Sequence, residues 1–118
     1  MGGLMAHAAL LRKPDTFGAA IIFSPSYWFS PAIAEETKRT SLARGQRVYV
    51  YAGGKESESM LPQARAMFER FKPIVATNPG KLLVEVPEGE HNEAAWRAVL
   101  PNALCWRFDP ACHTPRLH

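Results

Sequence analysis

The sequence predicts an α/β fold, a parallel sheet of about three strands with helices on both faces. Three short runs rich in β-branched and aromatic residues, each bounded by glycine, proline or serine, predict the strands. Between them lie longer segments whose apolar residues recur at helical spacing. Strands that alternate with helices in this way are typical of parallel sheets with right-handed crossovers.

The first half of the chain is predicted to run helix, strand, helix, strand. Residues 4–12 are mostly Ala and Leu and end before Pro14, which predicts a buried helix. Residues 19–23 form a continuous apolar run, as in a strand covered on both faces. Residues 32–44 predict a more charged helix, and residues 47–52 predict a second strand because their β-propensity is high.

The second half adds a helix, a strand and a final helix. Residues 60–71 carry apolar side chains at helical spacing and are soon followed by Pro73, which predicts the third helix. Residues 82–86 predict the third strand. Residues 93–108 predict the last helix, and we expect Pro101 to kink or interrupt it.

Length and charge limit the kind of protein. A chain of 118 residues with 47% hydrophobic residues fits one globular domain. We expect the domain over residues 1–108 and a flexible tail over residues 109–118. The formal net charge is only +3 and the sequence contains no run of Lys or Arg, which argues against a nucleic-acid partner.

The sequence predicts neither a membrane segment nor a cofactor. The apolar start lacks the leading positive charge of a signal peptide and is shorter than the roughly 20 residues that span a bilayer. Cys105 and Cys112 then fit a reducing, cytoplasmic compartment in which neither is oxidised. A metal site from these cysteines with His113 and His118 is disfavoured, because the spacing lacks the C-x2-C pair of common zinc sites.

Three loops follow the carboxyl ends of the predicted strands, where ligands bind in open parallel sheets. The second loop contains Glu56 and Glu58, and the third contains His91. A carboxylate beside an imidazole fixes its tautomer and stabilises the imidazolium that forms when the ring accepts a proton. The topology therefore allows an acid–base pair at this edge of the sheet.

A structural interpretation of these residues is also open. His91 would then be a surface-loop histidine flanked by Glu90 and Glu93. Glu56 and Glu58 would lie in a solvated first turn, where carboxylates complement a helix N-terminus. Spacing alone favours this structural interpretation.

Three stretches, taken together, carry a family resemblance. They are MGG at residues 1–3 with FGAAIIFSPSYW at 17–28, VYAGGKE at 50–56, and EGEHNEAAW at 88–96. In this order they resemble the second half of the putative-esterase family of α/β-hydrolases, which includes esterase D and the enterochelin esterases. The resemblance covers roughly residues 1–108 and implies part of an α/β-hydrolase sheet.

The resemblance also implies roles for single residues. His91 would be the general base of a serine esterase, and Glu56 its orienting acid because it lies just past the strand end. Glu58 is the alternative acid. The backbone N–H of Met1 would help to form the oxyanion hole.

Other residues have both a functional and a structural interpretation. By the resemblance, Tyr27, Trp28 and Phe29 would be walls of a substrate pocket, with core packing as the alternative. His7 lies on an apolar helix and is expected to be a core or interface residue.

The sequence departs from the family pattern at the nucleophile. The family places its serine in G-x-S-M-G-G, and this sequence starts at the Met that would follow the serine. We therefore expect the nucleophile to be absent from these residues. Ser24 and Ser26 follow the first strand, but neither lies in a Gly-x-Ser-x-Gly elbow.

Three functions are compatible with this sequence. The chain is derived from a serine carboxylic-ester hydrolase and is inactive alone, or it is half of a two-chain esterase for a small ester, completed by an amino-terminal half. Alternatively it is a non-catalytic module that forms homo-oligomers through an uncovered sheet edge.

Overall fold

The computed structural model describes residues 1–43, 45–72, 80–109 and 112, and helices and strands alternate along them. The predicted tail, apart from Asp109 and Cys112, lies outside the described residues. In chain order the elements are α1 (Gly2–Arg12), β1 (Ala19–Phe23), a 3-10 turn (Tyr27–Phe29), α2 (Ala32–Arg39), β2 (Arg47–Gly53), α3 (Met60–Arg70), β3 (Lys81–Val86) and α4 (Glu93–Phe108).

The three strands form one parallel sheet in the order β1-β2-β3. Val50 in the central strand lies opposite Ile22 of β1 and Leu83 of β3. Every residue of β2 after Arg47 is buried, whereas β3 is half-buried along its length. The predicted α/β class, with a three-stranded parallel sheet and helices on both faces, is confirmed.

Alternating side chains of β2 divide the core between the two faces of the sheet. Val48 and Val50 pack on the side of α1, α2 and α3, in a cluster that includes Leu4, Leu10, Ile22, Ile33, Ala64, Met67 and Phe71. Tyr49 and Tyr51 face the opposite side, in a cluster that includes Val99, Ala103 and Trp106 of α4. Each large apolar side chain buried in this way stabilises the fold by about 1.5–3 kcal/mol.

Tertiary pairing ends α2 earlier than the sequence predicts. The helix was expected over residues 32–44 but stops at Arg39. Ser41 instead forms a parallel bridge with Lys72, and the backbone N–H of Leu42 donates to the Lys72 carbonyl at 2.9 Å. This pairing buries Leu42, which a continuing helix would not place there.

The expected interruption of α4 at Pro101 does not occur, because the helix is continuous from Glu93 to Phe108. Pro101 removes one backbone donor, but it lies on the exposed side of the helix. Val99, Ala103 and Trp106 on the other side are buried against the sheet, which holds the helix together. No helix in the described part of the chain, including this one, is long and apolar enough to cross a membrane.

The cysteines depart from expectation. Cys105 near the end of α4 is disulfide-bonded to Cys112, with Cα atoms 5.6 Å apart, so the expectation of two reduced thiols is wrong. The backbone N–H of Cys112 donates to the Asp109 carbonyl at 2.9 Å, which turns the chain back toward the helix. His113 and His118, the other members of the disfavoured metal set, lie outside the described residues.

His7 of α1 is fully buried, as expected for a core histidine, and it connects α1 with the 3-10 turn and with α2. Its Nε2 lies 2.8 Å from Thr37 Oγ1, and its Nδ1 lies 2.9 Å from the Tyr27 hydroxyl. Thr37 donates its only hydroxyl proton to the Ile33 carbonyl at 2.6 Å, so Thr37 Oγ1 accepts from His7. The ring is therefore the neutral Nε2–H tautomer, and its Nδ1 accepts from Tyr27.

This neutral histidine makes folding pH-dependent. Burial lowers the pKa of His7 from 6.5 to about 4, although the charge of Glu36 partly opposes the shift. As the pH falls, His7 takes up a proton at a higher pH in the unfolded chain than in the folded one. The free energy of unfolding should therefore fall by about 3 kcal/mol as the pH drops from about 6.5 to about 4. Urea unfolding at a series of pH values measures this loss, and His7→Gln should remove most of it.

Tyr27→Phe is the matched control, because it removes a hydrogen bond of the same cluster and leaves His7 to titrate. It should lower stability at all pH values and keep the slope. A His7→Gln variant with the slope of the parent chain would contradict the assignment.

Candidate active site

The loops after β2 and β3 meet at the carboxyl edge of the sheet, and glycines allow the contact. The backbone N–H of Gly54 donates to the Val86 carbonyl, and that of Lys55 donates to the Gly89 carbonyl, both at 2.9 Å. A Cβ on Gly53 would lie 2.5 Å from the Gly89 carbonyl oxygen. The two loops therefore approach as closely as they do only because these positions lack side chains.

The approach brings together Glu56 and His91. Glu56 Oε1 lies 2.6 Å from His91 Nδ1. A carboxylate oxygen only accepts, so Nδ1 carries the proton and the Nε2 lone pair of the neutral ring is left for other chemistry. The Glu56 side chain is 1% exposed and that of His91 is 54% exposed. Glu58 is exposed, and the described contacts of His91 do not include it.

Three donors from the described part of the chain bind the Glu56 carboxylate. Besides His91, its Oε2 accepts from the backbone N–H of Gly53 at 2.7 Å and from the Ser24 hydroxyl at 2.8 Å. A buried charge is tolerated only when it is compensated in this way. Burial, and secondly the charge of Glu56, raise the pKa of the neighbouring Tyr51.

Ser24 and Trp96 complete the site, although no pattern in the sequence connects them. The indole Nε1 of Trp96 donates to Ser24 Oγ at 2.9 Å. Its ring also meets the His91 ring edge-on, with centroids 5.0 Å apart. The only sequence signal was the position of Ser24 directly after a strand, because 72 residues separate it from Trp96.

A cavity of about 400 Å³ opens beside His91. Its walls come from the start of α1, from β1 and the residue after it, and from the loop before α4 and the first half of that helix. The lining residues are Met1, Gly2, Gly3, Ile21, Phe23, Ser24, His91, Trp96 and Leu100. Met1 thus lies on the same cavity as His91, and its amino group donates to Ser26 Oγ at 3.2 Å. Among the described residues that line it, His91 is the only one with an ionisable side chain.

The three aromatic residues expected as pocket walls are not among the described residues that line this cavity. Tyr27 is buried in the core because its hydroxyl binds His7, so the core alternative holds for it. Trp28 and Phe29 are 65% and 58% exposed, contact each other edge-on and do not line the cavity.

Comparison with family models identifies the family of the chain. A model of the family described as putative esterase matches residues 1–106, which include Glu56 and His91. The chain belongs to the putative-esterase family. The resemblance seen in the sequence is confirmed, and the membership indicates a hydrolase-like origin. No significant match was found among curated proteins or among solved structures.

The glycines that support the site can be tested by adding one methyl group. In Gly54→Ala, the new Cβ would collide with the backbone of Pro87, so the loops after β2 and β3 must separate. We expect a loss of about 1–3 kcal/mol in the free energy of unfolding, since overpacking at rigid backbone costs this much. Thermal and urea unfolding measure it.

Gly18→Ala is the control, because a Cβ there meets only the end of the Arg107 side chain at 3.9 Å. It should leave stability nearly unchanged. Equal losses in the two variants would show that the loop contact is not what Gly54 provides.

Proposed function

We propose that the chain carries the acid and the general base of a serine carboxylic-ester hydrolase, with Glu56 as the acid and His91 as the base. The observation that carries the proposal is the 2.6 Å contact between a buried carboxylate and an exposed imidazole beside a cavity. The structural interpretation from the sequence placed Glu56 in a solvated turn. Its 1% exposure argues against that interpretation.

The proposed reaction is acyl transfer through a serine supplied from outside these 118 residues. His91 Nε2 takes the serine hydroxyl proton as Oγ attacks the ester carbonyl, and it returns the proton to the departing alcohol. Water then repeats the cycle on the acyl-enzyme, releasing the acid and restoring the serine. Glu56 holds the Nδ1–H and stabilises the imidazolium at each step.

The nucleophile is the missing part of this proposal. The 118 residues contain no Gly-x-Ser-x-Gly elbow, and among the described residues no serine is hydrogen-bonded to His91. Ser24 does not replace it, because its hydroxyl proton is directed to Glu56 rather than to the imidazole. These residues alone are therefore proposed not to hydrolyse esters, and the small ester substrate requires a complementing amino-terminal half.

Complementation tests the assignment. The amino-terminal half of a putative-esterase family member, ending in its Gly-x-Ser, is joined to Met1 or mixed with the chain. Hydrolysis of p-nitrophenyl acetate should appear only in the complemented protein. It should fall by about 10³–10⁴-fold in His91→Ala or Glu56→Gln, since triad members act as a unit.

Glu58→Gln is the matched control for Glu56→Gln, because Glu58 is the alternative acid from the sequence and is exposed. It should keep the activity of the complemented protein. Hydrolysis by the 118-residue chain alone that disappears in His91→Ala would reveal a local nucleophile and overturn the proposal. A folded but inactive complemented protein would overturn the assignment of the base.

Exposed apolar surface favours a second candidate, a homo-oligomer. Within the described residues β1 pairs on one side only, which leaves an edge that another strand can extend. On α4, Leu100, Leu104 and Phe108 are 41%, 41% and 70% exposed and lie four residues apart on one stripe. A stripe of this kind is typical of a surface that packs against a partner.

Self-association through the apolar stripe of α4 predicts a dimer in sedimentation velocity. The double variant Leu104→Lys, Phe108→Lys should shift it to monomer, because charges are not tolerated in an apolar contact. Ala66→Lys is the control, since Ala66 is exposed on α3 across the sheet. A parent chain that stays monomeric at all concentrations would exclude this candidate.

A further inference from the structure

Four side chains form a directed series of hydrogen bonds. The indole Nε1 of Trp96 only donates, so Ser24 Oγ accepts at 2.9 Å. The Ser24 hydroxyl proton then goes to Glu56 Oε2 at 2.8 Å. The other oxygen, Oε1, accepts from His91 Nδ1 at 2.6 Å. Trp96 closes the series through its edge-on contact with the His91 ring.

Ser24 has an unusual backbone. Its φ is +48°, and it is the only non-glycine residue with a positive φ among the described residues. This left-handed conformation costs free energy for a residue with a Cβ. The strained conformation is held by hydrogen bonds. The Ser24 backbone N–H donates to the Tyr51 carbonyl at 2.9 Å, and the Ser24 hydroxyl binds both Glu56 and Trp96. Strain of this kind concentrates at functional sites.

We propose that Ser24 and Trp96 are positioning residues for the Glu56–His91 pair. Ser24 is 1% exposed and binds the carboxylate oxygen that His91 does not use, which fixes the orientation of the other oxygen. Trp96 holds Ser24 in the donating orientation and supports the imidazole ring. The catalytic consequence rests on the proposed function, whereas the effect on the geometry of the pair does not.

Without the Ser24 hydroxyl, Oε2 keeps only the backbone N–H of Gly53. The carboxylate can then rotate, so Oε1 faces Nδ1 for a smaller part of the time. The imidazole would be free to exchange its Nδ1 proton with water or to adopt the other tautomer. These changes are measurable in the chain itself, with no substrate present.

The test uses nitrogen-15 NMR of the histidine rings in the 118-residue chain. The chain contains four histidines, and His91→Gln identifies the His91 signals. In the parent chain His91 should be the Nδ1–H tautomer with a slowly exchanging proton. His7, which is the Nε2–H tautomer, serves as an internal reference and should not change in any variant of the site.

Ser24→Ala should speed exchange of the His91 Nδ1 proton about tenfold, the effect of losing a hydrogen bond to a charged group. Trp96→Phe removes only the neutral hydrogen bond to Ser24, so it should speed the exchange about fivefold. Ser59→Ala is the control for an exposed serine hydroxyl. Trp106→Phe is the control for the indole, because Trp106 is buried in α4 and its Nε1 has no partner among the described residues. Both controls should keep the parent exchange rate.

Ser24→Gly separates positioning from fold stability. Glycine adopts the left-handed conformation without strain, so this variant should fold at least as stably as Ser24→Ala. The His91 Nδ1 proton should nevertheless exchange faster with water, as it does in Ser24→Ala. If folded Ser24→Gly and Trp96→Phe both keep the parent tautomer and exchange rate, the positioning role is wrong.

Activity distinguishes this inference from the proposed function. In the complemented esterase, Ser24→Gly should lower kcat about tenfold and Trp96→Phe about fivefold, since both variants weaken the fixed orientation of the Glu56–His91 pair. An inactive complemented parent with the NMR effects intact would overturn the proposed function alone. Ser24→Gly and Trp96→Phe variants with the full activity of the complemented parent and an unchanged His91 signal would overturn the positioning role alone.

Discussion

The architecture of this site depends on one constraint, the burial of the Glu56 carboxylate. A carboxylate that is 1% exposed must find hydrogen-bond donors inside the protein, because it has lost its water. The donors come from three parts of the chain: the backbone of Gly53, the hydroxyl of Ser24 and the ring of His91. The ends of all three strands must therefore reach the same point.

Several local features serve this convergence. Parallel register places the ends of β1, β2 and β3 at one edge, and Gly53, Gly54 and Gly89 let the loops beyond them touch. Asn92 accepts from the backbone N–H of Ala95 at 2.8 Å and so starts α4 directly after His91. Because α4 begins here, Trp96 lies near the start of the helix, where its indole contacts both the His91 ring and Ser24.

Sequence reasoning reached the features that depend on local pattern and parallel topology. The strands begin and end within a residue of the predicted bounds, and the meeting of Glu56 with His91 follows from which loops leave the carboxyl edge. It could not reach features that depend on distant polar partners. Tyr27 is in the core because of His7, 20 residues away, and the early end of α2 depends on pairing with Lys72.

The two described histidines show what the sequence lacked. His7 is buried, and both ring nitrogens meet neutral hydroxyls, so desolvation dominates and the ring stays uncharged. The His91 side chain is about half exposed and lines the cavity, and its Nδ1 meets the Glu56 carboxylate. Both residues are histidines near apolar helices. The charge of the hydrogen-bond partner, which only the fold supplies, separates a core histidine from the one that we propose as a general base.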